Sequence, residues 1–357
     1  MSRADASALD PQSFTDQVLR ALKSPGSDEL FPVDVLSILP GSQRDFDLFY
    51  RKADGKTVLF CGRDYDFTER TQLRIFNMGL EELYIPAEQA EAFFRYQEEH
   101  LSEIIADESI QPTRRARVLQ STGYFLMRDV MAEPRAKALI GRAGRFVSST
   151  VQFVLKEPTA VSHLMSLTSK DYYTYTHSVN VSILGVALLR RVRRCQHNAC
   201  RVFGMGALLH DIGKCRIDPE ILTKPGKLTD QEFAVIKTHP VIGYELLAAG
   251  GELPEEALSI VRWHHERFGG GGYPDGLSGS AIPEAAAITC ACDVYDALTT
   301  NRSYRKAMTG VEAMELMTGP MADHFSPEIL RTFLAMIRSN HPKLQKPAEP
   351  ELVAADA

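Results

Sequence analysis

The spacing of apolar residues changes along the chain, and each change marks a change of structure. From Phe31 to Pro86 they come in short bursts. Phe46-Asp47-Leu48-Phe49-Tyr50 and Thr57-Val58-Leu59-Phe60-Cys61 flank Ala53-Asp54-Gly55-Lys56. An Asp-Gly pair supplies the positive φ angles of a tight turn, so the two bursts predict a β-hairpin. Thr68 is placed to cap a helix running to Met78 and Gly79 to end it, after which Glu82-Leu83-Tyr84-Ile85 predicts another strand.

From about Ala87 to Ala160 the pattern becomes helical, with Phe93, Phe94 and Tyr96 interleaved with Glu91, Glu98 and Glu99. A connecting helix or helix pair is expected there, with His100 solvated on its polar side. The remainder reads as helices and loops. Thr229-Asp230-Gln231-Glu232 is a capping-box pattern, and Pro240 and Pro254 suit the first turns of helices. The longest apolar stretch, Val179 to Leu189, is interrupted by Asn180, Ser182 and Gly185. It is too short to span a bilayer and predicts a buried helix.

The expected fold is therefore mainly α: an all-helical domain preceded by a small α+β domain. The division expected is a mobile leader over 1–28, with a short helix near Phe14 to Leu22, a β-rich domain over 29–86, a helical connector over 87–160, a larger helical domain over 161–342, and a disordered tail rich in Pro, Ala and Glu over 343–357.

Charge narrows the function. The chain has 357 residues, a net charge of −6 and a pI near 6.0, so no global basic field holds long nucleic acid. Its six cysteines form no Cys-x-x-Cys pair, and the amino terminus carries no charged-then-apolar export pattern. A cytoplasmic location is expected.

The chemistry lies in histidines and aspartates. His210 and Asp211 stand side by side at the end of an apolar helix, Val202 to Leu209. His177 precedes them, and His239, His264, His265 and Asp293 follow in helical segments. Neutral imidazole and carboxylate suit iron, manganese or zinc, and the shortage of nearby thiolates argues against a structural zinc cage. A lone His239 would read as a core or helix-end residue. The full set reads as a hydrolytic metal site.

Ordered motifs sharpen this reading. His210-Asp211-Ile212-Gly213-Lys214, His264-His265-Glu266, Gly272-Tyr273-Pro274 and Asp293-Val294-Tyr295-Asp296-Ala297-Leu298-Thr299 are followed by Arg302 and Tyr304-Arg305. From about Val161 to about His341 the chain resembles the HD-GYP phosphodiesterases, bacterial signalling enzymes that linearise cyclic di-GMP. The resemblance implies two divalent ions, iron or manganese with zinc as an alternative. It places His177 and Asp293, beside His210, at the first ion, Asp211 between the two, and His239, His264 and His265 at the second. Such ions lower the pKa of a water and polarise phosphodiester oxygens, so no side-chain nucleophile is required.

Adjacent residues on a helix diverge by about 100°, so His264 and His265 can share an ion only where the helix ends or breaks. Gly213 is expected to take the left-handed exit of its helix. Asp211 and Lys214 are the implied catalytic residues. Lys214, Arg302 and Arg305 match positions associated with phosphate, and Tyr273 matches one that stacks on or bonds near a guanine. The Gly269–Gly272 run lacks a Gly-Lys-Ser/Thr ending and is no P-loop.

Two departures stand out. Members with three metals carry a Glu where this chain has Tyr173, so two ions are expected here. The signature loop usually carries an Asp where this chain has Gly269. The β-rich domain is similar to accessory domains upstream of HD-GYP modules, which implies regulation. Cyclic di-GMP is the implied partner; binding to a GGDEF-type diguanylate cyclase and homodimerisation stay open. The alternatives are a phosphohydrolase for another cyclic dinucleotide or nucleotide, and a non-hydrolytic signalling scaffold.

Overall fold

The first and last strands of a short N-terminal sheet lie side by side. The computed structural model describes residues 30–166, 174–301 and 305–340. The expected leader and tail, Tyr173 and Arg302 lie outside these described residues. Strands β1 (Leu30–Asp34), β2 (Leu48–Arg51), β3 (Thr57–Cys61) and β4 (Glu82–Pro86), with helix α1 (Glu69–Asn77) before β4, make an antiparallel sheet of order β1-β4-β2-β3. Phe31 faces Ile85 and Val33 faces Leu83 across β1 and β4, and all four side chains are buried.

The hairpin forms where the pattern predicts it, with a wider turn. Lys52 N–H donates to the Lys56 carbonyl at 2.8 Å, and of the turn residues only Gly55 takes a positive φ, +83°. A loop of this width needs one left-handed residue where a two-residue turn needs two. The first strand starts at Leu48 because Phe46 packs edge-on against Phe93 and Tyr96 instead of extending the ladder. Thr68 caps α1 by accepting from the Thr71 amide at 3.2 Å, and Gly79, φ +69°, ends it.

Three long helices follow: α2 (Ala90–Ala106), α3 (Pro112–Ala132) and α4 (Lys137–Lys156). Phe93, Phe94 and Tyr96 of α2, with Tyr124 and Phe125 of α3, complete the core under the sheet. Leu101 and Ile104, Leu119 and Leu126, and Phe146 and Val147 join the main helical core. Helices α2 and α3 thus carry both cores and fasten the sheet to the rest of the fold.

The main core continues through α5 (Ala160–Ser166), α6 (Thr174–Arg193), α7 (His197–Leu209), α8 (Pro219–Leu222), α9 (Asp230–Ile236), α10 (His239–Ala248), α11 (Glu255–Trp263), α12 (Glu284–Thr299), α13 (Gly310–Thr318) and α14 (Pro327–Asn340). The Thr229–Glu232 capping box opens α9, while Pro254 is the N-cap of α11, one position earlier than expected. Each interruption of the apolar stretch in α6 has a contact to explain it. A Cβ on Gly185 would come within 2.5 Å of the Phe203 ring, so α6 and α7 touch there because the side chain is missing. Ser182 Oγ donates to the Gly204 carbonyl at 2.9 Å, and Asn180 reaches Asp296 on α12. Among the described residues no helix is long and apolar enough to cross a membrane.

Candidate metal centre

Four imidazoles are aimed by what their rear nitrogens hold. His210, at the end of α7, turns Nδ1 to the Ala207 carbonyl at 2.7 Å. His239, at the start of α10, turns Nδ1 to the Ile236 carbonyl at 2.7 Å, and His264, capping α11, turns Nδ1 to the Val261 carbonyl at 3.0 Å. A carbonyl only accepts, so each Nδ1 carries the proton and each Nε2 is left as a donor of electrons. His177 on α6 is held by a carboxylate instead, with Nδ1 2.7 Å from Asp296 Oδ2; Asn180 Nδ2 donates to the other Asp296 oxygen at 2.9 Å.

These Nε2 atoms converge on Asp211 from two sides. His210 and His177 stand 3.4 and 3.6 Å from its Oδ2, and His239 and His264 stand 3.1 and 3.9 Å from its Oδ1. Asp293 approaches His177 Nε2 at 3.1 Å through Oδ1 and His265 Nδ1 at 3.7 Å through Oδ2. Two groups result: His177, His210 and Asp293, and Asp211, His239, His264 and His265, with the ligand atoms in each within 4.8 Å of one another.

This arrangement fits divalent cations. His210 Nε2 and Asp211 Oδ1 are buried and make no hydrogen bond among the described residues. A buried polar atom left without a partner costs about 1–3 kcal/mol, a cost that a shared cation removes. Burial drives the imidazole of His264 well below its ordinary pKa and that of His265 to about 3, so both stay neutral, the form that ligates. Burial pushes the Asp211 carboxyl upward, but the Lys214 ammonium and the neighbouring imidazoles more than offset it and hold it well below the usual carboxylate range. Asp293 behaves alike: burial raises it, and His177 more than offsets that. Both carboxylates are ionised.

Local backbone brings the pieces together. Helix α11 stops at Trp263, so His264 and His265 leave it at its end and their rings lie 4.1 Å apart. Gly213 does not take the expected left-handed exit; its φ is not positive, and it lies in the 3-10 turn Ile212–Arg216. Its role is closeness. A Cβ there would fall 2.0 Å from the His239 carbonyl oxygen and 2.7 Å from the Gly243 nitrogen. Gly213→Ala is therefore expected to force Asp211 away from His239 and to cost about 1–3 kcal/mol, the scale of overpacking a core. Thermal denaturation and metal content check this; an unchanged midpoint with full metal content contradicts it.

The loop after the histidine pair is tied at both ends. Glu266 Oε1 accepts from the Asp275 and Gly276 amides at 2.7 and 2.9 Å, while Asp275 accepts from Arg262 at 2.8 Å and Trp263 Nε1 at 2.7 Å. A Cβ on Gly272 would come within 2.5 Å of Arg267 N, so the chain doubles back tightly and lays Tyr273 on His265, ring centroids 4.7 Å apart. At Gly269 the amide donates to the Asp323 carbonyl at 2.7 Å, and a Cβ would stand 3.0 Å from that oxygen. Lys214 Nζ lies 2.5 Å from Asp211 Oδ2. Arg305 donates to the Ala297 carbonyl on α12.

The sequence reading gave no role to Asp296, Asn180, Glu266 or Asp275. A signal for the first two existed: Asp296 lies one turn after Asp293, and Asn180 one turn after His177, which puts each on its ligand's helix face.

Buried histidines and aspartates that converge in this way within a helical core make a site that could hold metal ions. Residues 160–329 match the HD domain family. A cyclic di-GMP phosphodiesterase of Pseudomonas aeruginosa is 39% identical over 52% of this chain and 44% of that protein. The 3'3'-cGAMP-specific phosphodiesterase 2 of Vibrio cholerae is 39% identical over 35% of this chain and 24% of that one. The chain thus spans less than half the length of these curated relatives. An HDG"Y"P protein from Bdellovibrio bacteriovorus shares the fold over 87% of this chain and 99% of its own, with a TM-score of 0.60 and 18% identity. Residues 160–329 of this chain form an HD domain of the HD-GYP type.

Proposed function

We propose that this chain hydrolyses a phosphodiester bond of cyclic di-GMP, to the linear dinucleotide or on to GMP, in bacterial second-messenger signalling. The observation that carries the proposal is the division of Asp211, with one oxygen facing His177 and His210 and the other facing His239 and His264. That geometry suits two divalent ions, iron or manganese, with zinc as the alternative. Bound there, they would supply a hydroxide nucleophile at neutral pH and charge stabilisation for the phosphoryl oxygens.

The chain's own groups then have distinct tasks. Asp211 holds the two halves of the site at one spacing, and Lys214 balances its charge and faces the substrate phosphate. Arg302 and Arg305 add positive charge for phosphate. Tyr273, buttressed by His265, stacks on a guanine, and Glu266 keeps its loop closed. The sheet domain is assigned a regulatory role, coupled through α2 and α3. A GGDEF-type cyclase partner, a homodimer and a cytoplasmic setting accompany this reading.

Elemental analysis of anaerobically purified protein, coupled to product detection, tests it. About two ions per chain and linear or mononucleotide product are expected. A reproducible third ion in the cluster, or full turnover by chelated protein, overturns the two-ion reading. The Vibrio cholerae relative favours a second reading, in which another cyclic dinucleotide is the substrate. Assays of the metal-loaded protein on a panel of cyclic dinucleotides decide between them.

A further inference from the structure

Lys237 carries a positive charge that the proposed chemistry leaves unused. It stands at the end of α9, two residues before His239, and it is solvent-exposed. Its ammonium rests against two aromatic rings, 4.7 Å from the centroid of Phe233 and 5.7 Å from that of Tyr273. Among the described residues no carboxylate forms a salt bridge with it. Three other cations in this part of the sequence are engaged by carboxylates: Lys214 with Asp211 at 2.5 Å, Lys224 with Glu232 at 2.7 Å, and Arg262 with Asp275 at 2.8 Å.

The position of this cation relates it to the metal centre. Tyr273 stacks on His265, with ring planes inclined by 29°, and His265 belongs to the second ligand group. Lys237 therefore lies one ring beyond a metal-ligating imidazole. Phe233, with 44% of its surface exposed, gives the lysine stem an apolar bed while the ammonium stays in water. The two rings restrict where that charge can go, which lowers the entropy cost of using it to bind an anion.

A cyclic dinucleotide has two phosphodiesters on one closed ring. When one lies at the ligand cluster, the other projects outward, where a cation at the rim can meet it. We propose that Lys237, positioned by Phe233 and Tyr273, anchors the uncleaved phosphodiester and so sets a preference for cyclic dinucleotides over substrates with a single phosphodiester. The inference rests on the phosphodiesterase reading above.

The test compares the full-length wild type with Lys237→Gln and Lys237→Arg on cyclic di-GMP and on bis(p-nitrophenyl) phosphate, which has one phosphodiester. Metal content is measured for each protein. Lys237→Gln is expected to lower kcat/KM for cyclic di-GMP roughly tenfold more than for the single phosphodiester, mainly through KM, the scale of one charge-assisted contact at a wet rim. Lys237→Arg should recover most of the difference, and the KM of the wild type should rise more steeply with salt than that of Lys237→Gln. Equal losses on both substrates, or an unaltered ratio, overturn the inference and leave the phosphodiesterase reading standing. A metal-loaded wild type that cleaves bis(p-nitrophenyl) phosphate and no cyclic dinucleotide overturns both.

Discussion

Asp211→Ala is expected to lower phosphodiester hydrolysis by at least about 10²–10³-fold, the scale seen when a main source of transition-state charge stabilisation is removed. The expectation follows from the two directions in which this carboxylate points. Oδ2 serves His177 and His210, and Oδ1 serves His239 and His264, so one truncation takes an oxygen from each half of the site. It also removes one of the two carboxylate charges of the cluster and the partner of Lys214. Asp211→Asn separates these effects, because it keeps the shape and loses the charge. Metal content should fall in both variants and turnover should fall with it, while far-UV helicity stays near that of the wild type. Wild-type activity of Asp211→Ala in the presence of chelator would show that the two-ion mechanism is wrong.

What was legible in the sequence was chiefly what is decided locally. Thr68, Gly79 and the Thr229–Glu232 box mark helix ends because capping needs only the few residues beside it. The candidate ligands could be singled out because few residue types bind such ions, and the structure gathers His177, His210, Asp211, His239, His264, His265 and Asp293 into two groups. The features that escaped are those created by distant contact. His177 and Asp296 are 119 positions apart, and nothing near either one announces the pair. Gly213 was given a conformational role because glycine ends helices, whereas its contact with His239 exists only once the 3-10 turn after α7 has docked on α10. β1 went unnamed for the same reason, since its pairing with β4 skips over the whole hairpin.

Asp296→Ala should weaken metal binding at the His177 group by about 10–100-fold, the usual penalty for removing a carboxylate that orients a ligating imidazole. Asp296 is almost wholly buried, and its two oxygens are divided between His177 Nδ1 and Asn180 Nδ2. It fixes the proton on Nδ1, turns Nε2 toward Asp293 and Asp211, and makes the ring a stronger base. Without it the ring loses the acceptor that sets its tautomer, and Asn180 loses its acceptor as well. Asp296→Asn should fall between the alanine variant and the wild type, because its amide oxygen still accepts from His177 but brings no charge. Asn180→Ala leaves the carboxylate in place and should cost less than either. Metal titration against a competing chelator reads these differences directly, and the number of sites reports which group is affected. The expected result is one weakened site, with the group formed by His239, His264 and His265 retaining its affinity. Equal weakening of both groups would point to a collapse of the α6–α12 contact, and unchanged affinity would deny Asp296 any part in holding the metal.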